Sequence, residues 1–279
     1  MALIPPTQSA RKFWGLFYGG PGTGKSRIAG AYPDEWGEGV YLAVDNDGSR
    51  LDSILPQHRS RLHVYQFDGA SPIDNMNQFA IENWRKVHPK AGVLIVDTLS
   101  RAAKKMLVYA AKQNYFEAKG RLQFGPKSAE ISQGLPMPGD YGGTQYLLRN
   151  WIDALFLHQR DMHIIVVCHQ YEWFPNEKSP AGATAFGGPD TIGSALVQDL
   201  ASEFPAVVRL DVDHITGLDG KVQSRYVAHS AMTGIYTARI KEGDEKGNPM
   251  PKVVLAANPR NWYDQYLTHF MREEHVNAS

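Results

Sequence analysis

Cysteine is nearly absent: one residue, Cys168, stands in 279. No disulfide can form within the chain, which suits a reducing compartment such as the cytoplasm. Neither charge is in excess, with 29 Lys+Arg against 29 Asp+Glu. That excludes a histone-like basic protein and a disordered acidic chain, and it requires any nucleic-acid footprint to be local. No apolar run approaches the ~20 residues that a membrane helix needs. The opening stretch MALIPPTQSARKF has no apolar h-region, so no signal peptide is expected. Repeats and low-complexity tracts are also missing. What remains is ordinary globular composition, 43% hydrophobic and 21% charged, enough for one large domain with insertions.

Apolar strands alternate with helical spacing along the chain. Residues 13–18 (FWGLFY) read as a first strand, ending in glycines, and a helix is expected to start over 26–31. Further strands are read at 40–44, 63–67, 93–96 and 164–168, with helices over 73–87, 100–113, 145–159 and 192–201. Residues 117–142 and 171–190 are rich in Gly and Pro and read as long loops. Late strands at 206–212, 225–229 and 236–240 read as antiparallel. The early strands are continuously apolar, the mark of a mostly parallel α/β sheet with helices on both faces. Ligands of such sheets bind at the carboxyl ends of the strands. The core is expected over 13–260, after an N-terminal arm or tail over 1–12 and before a C-terminal helix or tail over 261–279.

The strongest signal is Gly19-Gly20-Pro21-Gly22-Thr23-Gly24-Lys25-Ser26, which matches G-x-x-x-x-G-K-[ST]. From average residue usage this pattern arises by chance about once in a hundred chains of this length. Here it also follows a strand and opens a helix. Its N–H groups can converge on phosphate oxygens, with Lys25 reaching the β- and γ-phosphates of ATP and Ser26 ligating Mg²⁺. The strand 93–96 ends in Asp97, a carboxylate suited to the Mg²⁺ shell. Thr98 follows, where many ATPases place a water-activating Glu. Asp47, after the second strand, is the candidate for orienting the attacking water. Gln170, with His169 as second choice, ends the strand 164–168 and is the candidate γ-phosphate sensor.

This order of motifs resembles the RecA-like P-loop NTPase core, and within it the compact phage-encoded RecA-fold ATPases of recombination and single-strand annealing. The resemblance covers about residues 11–245. It implies an ATPase that binds single-stranded DNA, assembles as a filament or ring of like subunits, and has a single-strand-binding protein as a possible further partner. It also implies that Arg239 and Lys241 reach a neighbour's ATP, and it places the protein in the bacterial host cytoplasm. Where RecA proteins usually carry Glu, this chain has the shorter Asp47.

Residues 101–127 hold seven Lys/Arg and one acid, a local charge of +6. Arg101, Lys104, Lys105 and Lys112 fall on one helical face, and Lys119 and Arg121 follow. Aromatic residues are interleaved, as in single-strand binding. Trp173 and Phe174 are the candidate stacking residues of a second DNA loop. Two other readings stand beside this one. An ATP-switched assembly factor or helicase loader would bind nucleotide with little DNA-stimulated turnover. A small-molecule kinase is disfavoured by the strand lying between the first strand and Asp97 and by the lack of an Arg-rich lid.

Overall fold

The structure, a computed structural model, describes residues 12–44, 49–67, 71–119, 138–177, 179, 182–192, 194–216, 220–240, 250, 252–255 and 258–270. Its strands are β1 (Trp14–Gly19), β2 (Glu38–Ala43), β3 (Leu62–Gln66), β4 (Ala91–Asp97), β5 (His163–Trp173), β6 (Phe186–Asp190), β7 (Ala206–Thr216), β8 (Val222–His229), β9 (Arg239–Ile240) and β10 (Val253–Val254). Among the described residues they form one ten-stranded sheet, ordered β10-β8-β7-β1-β5-β4-β2-β3, with β6 beside β5 and β9 beside β7. The run from β7 to β3 is parallel. The pairings that bring in β8, β10, β6 and β9 are antiparallel.

Helices cover both faces because successive strand residues point to opposite sides. On β5, Ile164, Val166 and Cys168 enter one core, and Ile165 and Val167 enter the other. The first core packs under α4 (Pro72–Ile81), α6 (Leu99–Lys119), α7 (Pro138–His158) and α8 (Ser194–Glu203), through residues such as Phe79, Met106, Trp151 and Leu200. The Trp151 indole donates to the Met76 carbonyl at 2.6 Å, so this large buried side chain is also hydrogen-bonded. The second core holds Ile28 and Ala29 of α1 (Lys25–Gly30), which the short helices α2 (Ser49–Asp52) and α3 (Pro56–Arg59) follow in the chain, and Trp262 and Tyr263 of α9 (Asn261–Phe270). Phe17 meets Trp262 edge-on at 5.1 Å. Trp262, Tyr263 and Tyr266 thus dock the helix Asn261–Phe270 onto the sheet.

Several expected elements differ in their bounds. The helix expected over 73–87 is two, α4 and α5 (Trp84–Val87), because Asn83 caps the second by accepting from the Lys86 N–H. Helix α7 starts at Pro138 rather than 145, since Pro is tolerated in a first turn. Gly142 and Gly143, poor helix formers, disguise its first turns. Within the segment read as a loop over 171–190, β5 continues to Trp173 and pairs with β6, Trp173 opposite Phe186. Pro189 lacks an N–H, but among the described strands β6 pairs with β5 alone, and its further bridge, to Tyr236, falls at Gly187, so Pro189 sits where the missing donor is tolerated. No helix among the described residues is long and apolar enough to cross a membrane.

Candidate functional site

Strand β1 delivers the chain to the glycine-rich loop Gly20–Gly24, and α1 takes it away. Gly22 and Gly24 have φ of 73° and 83°. A side chain costs roughly 1–2 kcal/mol in this left-handed region, so glycine is the residue that permits the turn. The Thr23 hydroxyl donates to the Gly20 carbonyl at 2.9 Å and ties the loop across itself. The Lys25 ammonium donates to the carbonyls of Gly19 at 3.0 Å and Gly20 at 2.5 Å, and it is buried. Its charge is thus held inside the loop, where an anion would meet it.

A cavity of about 520 Å³ opens at this loop, a volume typical of small-molecule sites. Gly22, Lys25 and Ser26 line one part of it, together with Pro21, Thr23 and Gly24; His169 and Tyr226 line others. Gly19 ends β1, and Gly20 follows as the acceptor for Lys25 and Thr23.

Sheet order brings the other candidates to the same edge. Strand β5 lies between β1 and β4, with Gly19 opposite His169 and Asp97 opposite Val167. Asp97 follows Val93 and Ile95, which enter the core on the α1 side, so it points to the face that carries the glycine-rich loop. It is fully buried, and the Tyr41 hydroxyl donates to its Oδ2 at 2.6 Å. His169 follows Ile165 and Val167 on that same face. Its N–H donates to the Ser100 hydroxyl at 2.9 Å, and that hydroxyl donates to the Asp190 carbonyl. Burial pushes the Cys168 thiol well above its ordinary value, so this residue is a packed thiol, not a thiolate.

Gln170 points to the opposite face. Its amide nitrogen donates to Glu172 at 2.6 Å and its amide oxygen accepts from Arg209 Nε at 3.4 Å. Arg209 in turn donates to Asp211 at 2.5 Å and stacks on Tyr236 at 3.7 Å from the ring centre. Tyr236 donates to Glu172 at 2.7 Å. Gln170 is therefore part of a network joining β5 to β7 and to Tyr236, and His169 is the member of the pair that lines the cavity.

Arg239 pairs with Val207 and donates to the Ala201 carbonyl at 3.0 Å. Leu210, three residues further along β7, stands opposite Gly19, so Arg239 lies towards the other end of the sheet from the glycine-rich loop. Asp47, Lys241 and Arg121 lie outside the described residues. On α6, Arg101 is exposed, and Lys104 pairs with Asp190 at 2.8 Å. Lys105 turns inward, donating to the Val44 carbonyl at 2.9 Å with Phe67 beneath it. Lys112 and Lys119 lie further along the same helix. Trp173 stacks on Phe186 at 5.5 Å, and Phe174 stands 59% exposed beyond the strand.

Sequence reasoning missed Tyr41, Ser100, Arg209 and Tyr226. Each acts through a partner distant in sequence, and no spacing rule marks such a pair. Neither a protein-family model nor a curated protein matches the chain.

Proposed function

We propose that the chain is a Mg²⁺-dependent ATPase with a RecA-like core that binds single-stranded DNA in recombination or strand annealing. The carrying observation is the cavity at Gly22, Lys25 and Ser26, with His169 lining it and the Asp97 carboxylate on the same sheet face. The position of β5 between β1 and β4 also supports the resemblance, because it sets a polar strand tip between the phosphate loop and Asp97.

The loop N–H groups and Lys25 bind and neutralise the polyphosphate. Ser26 and Asp97 fit a divalent cation: a hydroxyl in the cavity and a buried carboxylate already held by Tyr41. Bound there, Mg²⁺ would offset charge on the phosphate oxygens as the terminal bond breaks. Asp47 is the proposed group for orienting water. His169 takes the sensor position facing the phosphates. Its backbone N–H is held through Ser100 to Asp190 of the β5–β6 hairpin, so a shift there can reach Phe174. Gln170 acts from the far face, through Arg209. Arg239 and Lys241 serve a neighbouring subunit's site in a filament or ring.

The test is Mg²⁺-dependent ATP hydrolysis with and without single-stranded DNA, with Lys25→Ala as the blank. Stimulation by DNA that Lys25→Ala abolishes is expected. Wild-type turnover in Lys25→Ala would defeat the assignment. The ATP-switched assembly factor or helicase loader keeps one observation in its favour: Lys104 and Lys105 already have protein partners, which leaves less charge for phosphates. Nucleotide binding that changes assembly size without DNA-stimulated turnover would decide for it.

A further inference from the structure

The cavity at the phosphate loop extends beyond what a phosphate chain needs. Part of its wall is Tyr226 on β8, Leu255 just after β10, and Pro259 just before α9. Leu255 and Pro259 are buried, whereas Tyr226 keeps 39% of its surface exposed. Register explains how a residue so far along the chain arrives here. Strand β1 stops at Gly19, opposite Leu210 of β7. Strand β7 runs on, and Val212, two residues further, faces Tyr226 across the antiparallel β7–β8 ladder. Two residues of strand span about 6.6 Å, so Tyr226 overhangs the loop that β1 feeds. A Cβ placed on Gly24 would lie 4.0 Å from Tyr226 Cδ1. The Leu255 N–H donates to the Tyr226 carbonyl at 2.9 Å, so the ring's backbone is anchored to the strip that carries the apolar wall.

An anchored, partly exposed aromatic ring beside a cationic loop, backed by Leu and Pro, offers a planar ligand a face to stack on. We infer that Tyr226 is the stacking wall for the base of a bound nucleoside triphosphate, with Leu255 and Pro259 completing an apolar base subsite. This rests on the nucleotide reading of the loop. Stacking needs only a π-face, so it supplies affinity for adenine and guanine alike. Lys25 and the loop hold the phosphates, and Tyr226 fixes where the nucleoside end lies.

Isothermal titration of the full chain with ATP, GTP and inorganic tripolyphosphate, each with Mg²⁺, separates the two ends of the site. For Tyr226→Ala, affinity for both nucleotides should fall about tenfold while tripolyphosphate affinity stays unchanged. Tyr226→Phe should restore the nucleotide values. Unchanged ATP affinity in Tyr226→Ala, in a wild type whose ATP binding Lys25→Ala abolishes, overturns the base subsite and leaves the phosphate loop standing. An equal loss for tripolyphosphate also overturns it. Wild-type protein that binds neither ATP nor tripolyphosphate overturns the nucleotide reading and this inference together.

Discussion

Acid should destabilise this protein through one buried imidazole, His163, well before its carboxylates titrate. The ring is 6% exposed at the start of β5 and lies flat on Trp36, centroids 3.9 Å apart. Its Nδ1 accepts the Phe13 N–H at 3.0 Å, so the nitrogen that protonation would use is already occupied by a donor. Burial, then the positive charges of Lys12 and Arg85, push its pKa from 6.5 down to about 3. The unfolded chain therefore takes up this proton near pH 6.5 and the folded chain does not. The stabilisation is complete above pH 6.5 and is lost progressively as pH falls towards 3. Between pH 7 and pH 5 the unfolded state gains about 1.4 kcal/mol per unit below its pKa, so the loss at pH 5 is about 2 kcal/mol. Urea unfolding followed by tryptophan fluorescence at both pH values measures it. His163→Asn, which keeps an acceptor for Phe13 but does not titrate, should be less stable at pH 7 and should lose about 2 kcal/mol less than wild type on going to pH 5. His58, His88 and His229 are also held low by burial, but they contribute equally to both proteins and cancel. Parallel pH slopes for the two proteins would refute the reasoning.

Three further outcomes are expected. Tyr41→Phe removes a donor from the buried Asp97 carboxylate, so stability in urea should fall by about 1–3 kcal/mol and more Mg²⁺ should be needed for half-maximal hydrolysis; no change in either would detach Tyr41 from the site. Gly24→Ala forces a side chain into φ 83°, at a cost of roughly 1–2 kcal/mol, and ATP binding by titration calorimetry should weaken sharply; wild-type affinity would mean the loop does not need this turn. Phe174→Ala should weaken single-strand binding about tenfold in a fluorescence-anisotropy titration while leaving stability intact, since the ring is largely exposed. Unaltered binding would remove this tip from the DNA surface.

Legibility in the sequence followed the range of the interaction. The glycine-rich loop could be read because its residues are contiguous: glycines for the turn, then Lys25 and Ser26. Strand β4 and the apolar part of β5 up to Cys168 could be read because hydrophobicity on both faces leaves an unbroken apolar run. Sheet class follows from the same runs alternating with helical spacing. The hairpin inside 171–190 was hidden, since Gly187, Gly188 and Pro189 mimic a loop and only pairing with β5 makes them a strand.

The face on which Lys104 and Lys105 lie follows from their spacing, but what meets them does not. Lys104 finds Asp190 and Lys105 the Val44 carbonyl because α6 packs beside the ends of β6 and β2. Likewise, residue order alone could not choose between His169 and Gln170. Adjacent strand residues point to opposite faces, and only the packing of α1 shows which face carries the glycine-rich loop. Tyr226 is the extreme case: its place over Gly24 depends on the stagger of β7 against β1 and of β8 against β7. Composition, periodicity and contiguous motifs are properties of the chain itself. Register and face become physical only when separate strands hydrogen-bond and bury their sides.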